Sequence, residues 1–285
     1  MKFDYHMHFE YGDYDERWVQ GFFDAAAQRG LDEIGISEHS HTFPEFERLY
    51  YDDLTLDDSA VGRFQSKWLK KNKFKHSLDD YFAFMDRLKS THKVKTGIEV
   101  CNFRDQSAVK NILDRWDFDY VIGSIHFLDG WGFDASALVE EFDRHDLRDL
   151  YERYTIEVER LAAAGLYDIL GHPFNLWVFN VLPTFDPTEY YERAARALAS
   201  ANMAIDINTG TRYRYPIKKI SPPPKFLEIA AKHGLPIITS SDAHQPEDCG
   251  RFIDEAIEYA RGVGYSTCLR FTRRKREEVP LGDHQ

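Results

Sequence analysis

Histidines and carboxylates recur at the ends of apolar runs in this 285-residue chain. MKFDYHMHF carries His6 and His8, LDEIGISEH ends in Glu38-His39, and KVKTGIEV holds Glu99. DYVIGSIHF carries His126, YDILGHPF carries His172, and LPIITSSDAH ends in Asp242 and His244. Imidazole with carboxylate suits zinc, iron, manganese and related divalent ions, whereas calcium and magnesium take oxygen-only shells. In DYHMH the two histidines alternate with Tyr5 and Met7, so on an extended strand both rings face one way and can share an ion. Six histidines with Glu99 and Asp242 exceed the needs of one ion that keeps a position open for chemistry, so two to three ions are expected. Glu99, the carboxylate of the middle strands, is the natural bridge between two of them. Ions ~3.5–4 Å apart can polarise a phosphoryl oxygen and hold a hydroxide for in-line attack.

Seven strand-like runs must position these groups: the six above and MAIDINTG. Between them lie amphipathic segments such as DERWVQGFFDAAAQRG, SLDDYFAFMDRLKS and LRDLYERYTIEVERLAAAG, bounded by Ser, Asp, Pro or Gly as helix ends should be. Alternating strand and helix predicts an α/β fold with a parallel sheet, open or closed into a barrel. In a barrel the active site forms at the carboxyl ends of the strands, which is where the candidate ligands fall. No linker splits the chain, so residues 1–285 read as one domain. The stretch 41–76, rich in aromatics and charge, is too long for an ordinary loop and reads as an insertion or lid. Its Trp68, Tyr50 and Tyr51 are placed either to stack on a flat ring or to pack the lid.

Composition narrows the class further. A net charge of −12 argues against a nucleic-acid partner, which favours a basic face. With neither a basic leader before an apolar run nor a long apolar stretch, no signal peptide or membrane span is expected. Cys101, Cys249 and Cys268, an odd number without metal-ligand spacing, fit a reducing cytoplasmic setting. An acidic chain that handles an anion needs metal ions or a few placed cations. Arg212, after the sixth run, is the candidate phosphate fork, while Arg214, Lys218 and Lys219 read as solvated. Asn208 either positions the substrate or caps its turn. The partner implied is a small phosphorylated molecule, whose leaving alkoxide takes a proton from Asp242 or His244.

D-x-H-x-H, E-H, G-x-E, S-I-H, G-H-P and S-D-A-H, in that order, resemble the polymerase and histidinol phosphatase (PHP) family across nearly the whole chain. INTGTRYRYP, the SPPPKFLEIAAKHGLPIITSSDAH segment and the SLDDYFAFMDRLKS helix are similar to the branch that hydrolyses histidinol phosphate. The resemblance implies a distorted (β/α)7 TIM-like barrel with a trinuclear cleft and zinc, iron or manganese. It places His6, His8, Glu99 and Asp242 on a first ion, Glu99, His126 and His172 on a second, and His39 and His244 on a third. It also implies L-histidinol phosphate as substrate, with another small phosphomonoester or a phosphodiester as the alternative. Many relatives carry a further histidine in the loop after D-x-H-x-H; here that loop reads FEYGDYDER, with Tyr14 at about that position. The third site is therefore expected to be weaker, to recruit a carboxylate, or to stay empty. An amidohydrolase barrel also opens with His-x-His, but nothing lysine-like ends the fourth strand here.

Overall fold

The computed structural model describes residues 1–71 and 73–282. Seven parallel strands form one sheet: β1 (Phe3–Asp4), β2 (Glu33–His39), β3 (Val94–Cys101), β4 (Tyr120–Ser124), β7 (Ile169–Leu170), β8 (Ala204–Asn208) and β9 (Ile237–Ser240), in that spatial order. The small antiparallel pair β5 (Phe127–Leu128) and β6 (Trp131–Gly132) follows β4. A bridge between Met7 and Ala243, with the Tyr5 N–H on the Thr239 carbonyl (3.3 Å) and the His8 N–H on that of Ala243 (2.8 Å), brings the two edges together. The result is a nearly closed α/β barrel with the seven strands read from the sequence, the closed form that the family resemblance implies.

The strands read as continuous apolar runs because both faces are covered; β4, β8 and β9 are buried throughout. Aromatic rings fill the barrel interior, with Tyr5 stacked on Tyr120 at 5.4 Å. Gly97 makes room for that ring, since a Cβ there would come within 2.4 Å of it.

The helices start where local chemistry allows. Asp15 caps α1 (Glu16–Gln28), accepting from the N–H groups of Arg17 and Trp18. Val19, Phe22 and Ala26 then bury one face of α1. Ser77 and Asp80 form a reciprocal capping box on α4 (Leu78–Lys89). Asp146 opens α6 (Leu147–Ala164), and Gly165, in the left-handed conformation, ends it. Helices α5 (Gln106–Leu113), α7 (Thr188–Ser200), α9 (Pro224–Lys232) and α10 (Ile253–Arg261) complete the layer around the sheet.

Three features depart from the sequence reading. The ladder of β1 ends at Asp4, so His6 and His8 lie just beyond it, held by the Met7–Ala243 bridge. Residues 41–76 include two helices, α2 (Glu47–Asp53) and α3 (Ala60–Leu69). Gln65 ties this segment to the β5–β6 turn: its amide donates to the carbonyls of Thr55 (2.7 Å) and Gly130 (2.9 Å) and accepts from the Gly132 N–H (2.7 Å). The chain also ends in an unpredicted hairpin, β10 (Thr267–Thr272) with β11 (Lys275–Pro280).

Candidate metal centre

Five imidazole Nε2 atoms surround the Glu99 carboxylate. Those of His172, His39, His6, His126 and His8 lie 3.0, 3.2, 3.3, 3.5 and 3.8 Å from its oxygens. His8 also approaches Asp242 Oδ1 at 3.5 Å, and the rings of His8 and His244 lie 4.5 Å apart. Ligand atoms of His6, His8 and Glu99, of Glu99, His126 and His172, and of His8, His39 and His244 each fall within 4.8 Å of one another. All eight residues singled out from the sequence meet in this one place.

The cluster does not satisfy its own polar atoms. His6 Nε2 and both nitrogens of His8 are buried with no hydrogen-bond partner, and the Nε2 atoms of His126 and His172 face each other at 3.3 Å. Buried polar atoms are almost always paired, so lone pairs converging without donors fit divalent cations. Burial alone would raise Glu99's pKa, but His6, His126, His39 and a hydrogen bond to His172 hold it well below the ordinary carboxylate range. Burial acts on Asp242 in the same way and is outweighed by Arg214 and His6. Burial and the neighbouring His39 press His8 down to about 4, favouring the neutral form that binds metal.

Backbone geometry aims several of these groups. His172 and Asp242 have φ of 28° and 53°, in the left-handed region that residues other than glycine rarely occupy. Gly171, just before His172, allows close approach: a Cβ there would lie 2.2 Å from Ser124 Oγ. That serine donates to Glu99 at 2.6 Å.

Above the cluster opens a cavity of about 340 Å³. Its metal-facing side includes His39, Glu99, His126, His172, Asp242 and His244. Its other wall is largely apolar, with Leu54, Phe64 and Trp68 from the insertion and Phe127, Leu138 and Val178 from the barrel loops.

Two cationic assignments need correction. Arg212 does not line this cavity; its guanidinium pairs with Glu255 and lies 4.1 Å over the Phe252 ring. Arg214, read as solvated, lines it, hydrogen-bonding Asp242 and approaching His244 Nδ1 at 2.9 Å. The reason is helical: both lie on α8 (Gly210–Arg214), and a two-residue step turns a side chain by about 200°. Asn208 serves its own turn, accepting from the Gly210 N–H (2.9 Å) and donating to Asp206 and Asp242. Of the insertion's aromatics, Trp68 lines the cavity, Tyr50 is buried beneath it with its hydroxyl near Ser40 (2.7 Å), and Tyr51 faces solvent.

The first loop departs from the resemblance in a specific way. Tyr14 stacks on Phe84 (4.9 Å) and does not line the cavity. A carboxylate from the same loop does line it: Glu10 Oε2 lies 3.2 Å from His39 Nδ1 and accepts from the Thr42 hydroxyl (2.8 Å). Glu10, His39 and His41 form a further group of potential ligands. The sequence reading missed Glu10, His41, Lys73 and Asp134, all of which border the cavity.

Family models for the PHP domain match residues 4–210, and a PHP-associated model matches 225–259. The chain belongs to the PHP family. A "probable histidinol-phosphatase" of Deinococcus radiodurans is 38% identical over 168 residues, 59% of this chain and 63% of that protein, so the match spans less than two thirds of that relative's length. The histidinol-phosphatase of Bacillus subtilis is 26% identical over 268 residues, covering 84% of this PHP chain and 92% of its own. Among solved structures, histidinol phosphate phosphatase of Lactococcus lactis, complexed with zinc, L-histidinol and phosphate, matches with a TM-score of 0.65 at 20% identity. That alignment covers 97% of this chain and 98% of the other, and it supports the barrel architecture.

Proposed function

We propose that this PHP protein is a metal-dependent phosphatase that hydrolyses L-histidinol phosphate to L-histidinol and phosphate, a step of histidine biosynthesis. The observation that carries the reading is the convergence of five imidazole Nε2 atoms on buried Glu99 at the floor of the cavity. The names of the Deinococcus, Bacillus and Lactococcus relatives support the substrate. In this reading the whole chain acts as a single barrel domain in the cytoplasm. Among the described residues, no helix is long and apolar enough to cross a membrane.

His6, His8, Glu99 and Asp242 would hold one divalent ion, Glu99, His126 and His172 a second, and His39 and His244 a third, with Glu10 the carboxylate available where relatives carry a loop histidine. Zinc, iron and manganese all suit this donor set. When bound, such ions supply Lewis acidity and an activated water for displacement at phosphorus. The remaining work falls to the protein's own groups. Arg214 replaces Arg212 as the guanidinium that orients phosphate oxygens. Asp242 and His244 stand as the two candidates to pass a proton from water to the leaving alkoxide, Asp242 being held ionised at rest. The apolar wall takes the carbon skeleton and imidazole, with Asp134 placed to meet the ammonium. The smaller and more acidic the amine-binding end, the more the cavity favours this substrate over a phosphodiester, which has a second ester arm and no amine.

The test is a substrate panel on metal-replete protein. A kcat/KM for histidinol phosphate at least ~100-fold above simple monoesters and bis(p-nitrophenyl) phosphate, or ~2.7 kcal/mol of transition-state binding, is expected. A diester or nucleotide that outruns it assigns the site to another phosphoester.

A further inference from the structure

We propose that Asp206 is a positioning residue that sets His6 as a metal ligand, an inference that rests on the metal-centre reading above. His6 and Asp206 are both fully buried, with His6 Nδ1 2.9 Å from Asp206 Oδ2. The other ring nitrogen, Nε2, points to Glu99 at 3.3 Å and has no hydrogen-bond partner. A neutral imidazole carries one proton, and an ionised carboxylate only accepts. For His6 to ligate, its single proton must sit on Nδ1, facing Asp206, which leaves the Nε2 lone pair for the metal cluster.

The carboxylate is itself fixed from several directions. Ser240 donates to its Oδ1 at 2.5 Å, and the Asn208 amide and the His172 N–H donate to its Oδ2 at 3.0 and 3.5 Å. Asn208 also reaches Asp242 at 3.2 Å, so one buried carboxylate links the alignment of His6, the His172 turn and Asp242. Asp206 does not line the cavity, and so it acts on chemistry only through these neighbours. The same arrangement recurs at His39, whose Nδ1 faces Glu10 while its Nε2 faces Glu99.

The test measures zinc affinity by competition with a chromophoric chelator, together with the melting temperature of the metal-free protein, for wild type, Asp206→Asn, His6→Ala and the double variant. Asp206→Asn should weaken zinc binding 10- to 100-fold, the range found for outer-shell partners of ligating histidines, with little change in metal-free melting. In the His6→Ala background the same substitution should weaken zinc binding severalfold less than it does in wild type, leaving only the part carried through His172 and Asp242. Unchanged zinc affinity in Asp206→Asn, or losses that multiply in the double variant, would overturn the proposal. If Asp206→Asn does not fold, Ser240→Ala, which loosens the carboxylate without touching His6, must still weaken zinc severalfold; no change there also overturns it. A wild-type chain that binds no zinc, iron or manganese would sink the metal-centre reading instead.

Discussion

Glu99 carries the greatest concentration of interactions at the site, because one buried carboxylate is approached by five imidazoles from four separate segments. Its replacement by Gln keeps the shape and removes the charge that those rings and any bound ions share. The expected outcome is loss of turnover and of about two equivalents of metal at once, read by elemental analysis beside the activity assay; a Glu99→Gln protein with full activity would refute the bridging role. Arg214 makes a second prediction at this scale. Arg214→Ala should cost ~1.5–3 kcal/mol in kcat/KM, the worth of a hydrogen bond to a charged group. Arg212→Ala, on a group paired outside the cavity, should stay within ~0.5 kcal/mol of wild type. Equal losses from the two would return the phosphate role to both. The six histidines, Glu99 and Asp242 were legible in the sequence because barrel strands deliver their last residues to one rim. Choosing between Arg212 and Arg214 was not, because it depends on the phase of a five-residue helix. Glu10 was hidden for a similar reason: a short 3-10 turn over Glu10–Gly12 folds it back toward His39, and no periodic pattern announces such a turn.

At the scale of elements, the seven strands and their flanking helices could be read from apolar runs and caps, since parallel strands covered on both faces leave a strong signal. The insertion was legible only as an excess of length. Its internal helices are short, and one polar side chain ties it to the β5–β6 turn: Gln65, 2% exposed, satisfies backbone groups of both the insertion and that turn. Gln65→Leu retains approximate volume but leaves the Gly132 N–H and the carbonyls of Thr55 and Gly130 without that partner. An unmet buried polar group costs roughly 1–3 kcal/mol. The variant should therefore lose about that much stability locally and raise KM more than it lowers kcat, because the apolar wall shifts while the ligands stay. Steady-state kinetics beside hydrogen exchange over residues 54–69 checks this. A fall confined to kcat would mean that the insertion acts on the chemistry itself.

For the molecule as a whole, the unpredicted C-terminal hairpin closes the end of the barrel opposite the metal centre, and its arginines carry the explanation. Arg270 pairs with Glu33 at the start of β2, Arg274 with Asp168 just before β7, and Arg276 reaches the Asn202 carbonyl before β8. Three arginines of the run RFTRRKREE thus serve the fold, which gives a basic stretch a structural place in a chain of net charge −12. Asp119 is the central fastener. Its side chain accepts from the Thr96 N–H (2.9 Å), the Arg273 N–H (3.0 Å) and the Lys89 ammonium (2.9 Å), joining β3, the hairpin turn and the end of α4. Burial raises its pKa, but these donors outweigh burial and leave it lowered. A carboxyl group whose folded pKa lies below its unfolded value of ~3.9 binds fewer protons when folded, so its stabilisation is complete above that value and is lost as pH falls through the folded pKa. Asp119→Asn should then be less stable than wild type by ~1–3 kcal/mol at pH 7, because a neutral amide accepts fewer and weaker bonds. The gap should narrow steadily below about pH 4, where wild type also loses the charge. Urea unfolding of chelator-treated protein between pH 7 and pH 3 measures this without metal release contributing. A gap that stays constant across that range would show that Asp119 holds the hairpin by shape alone.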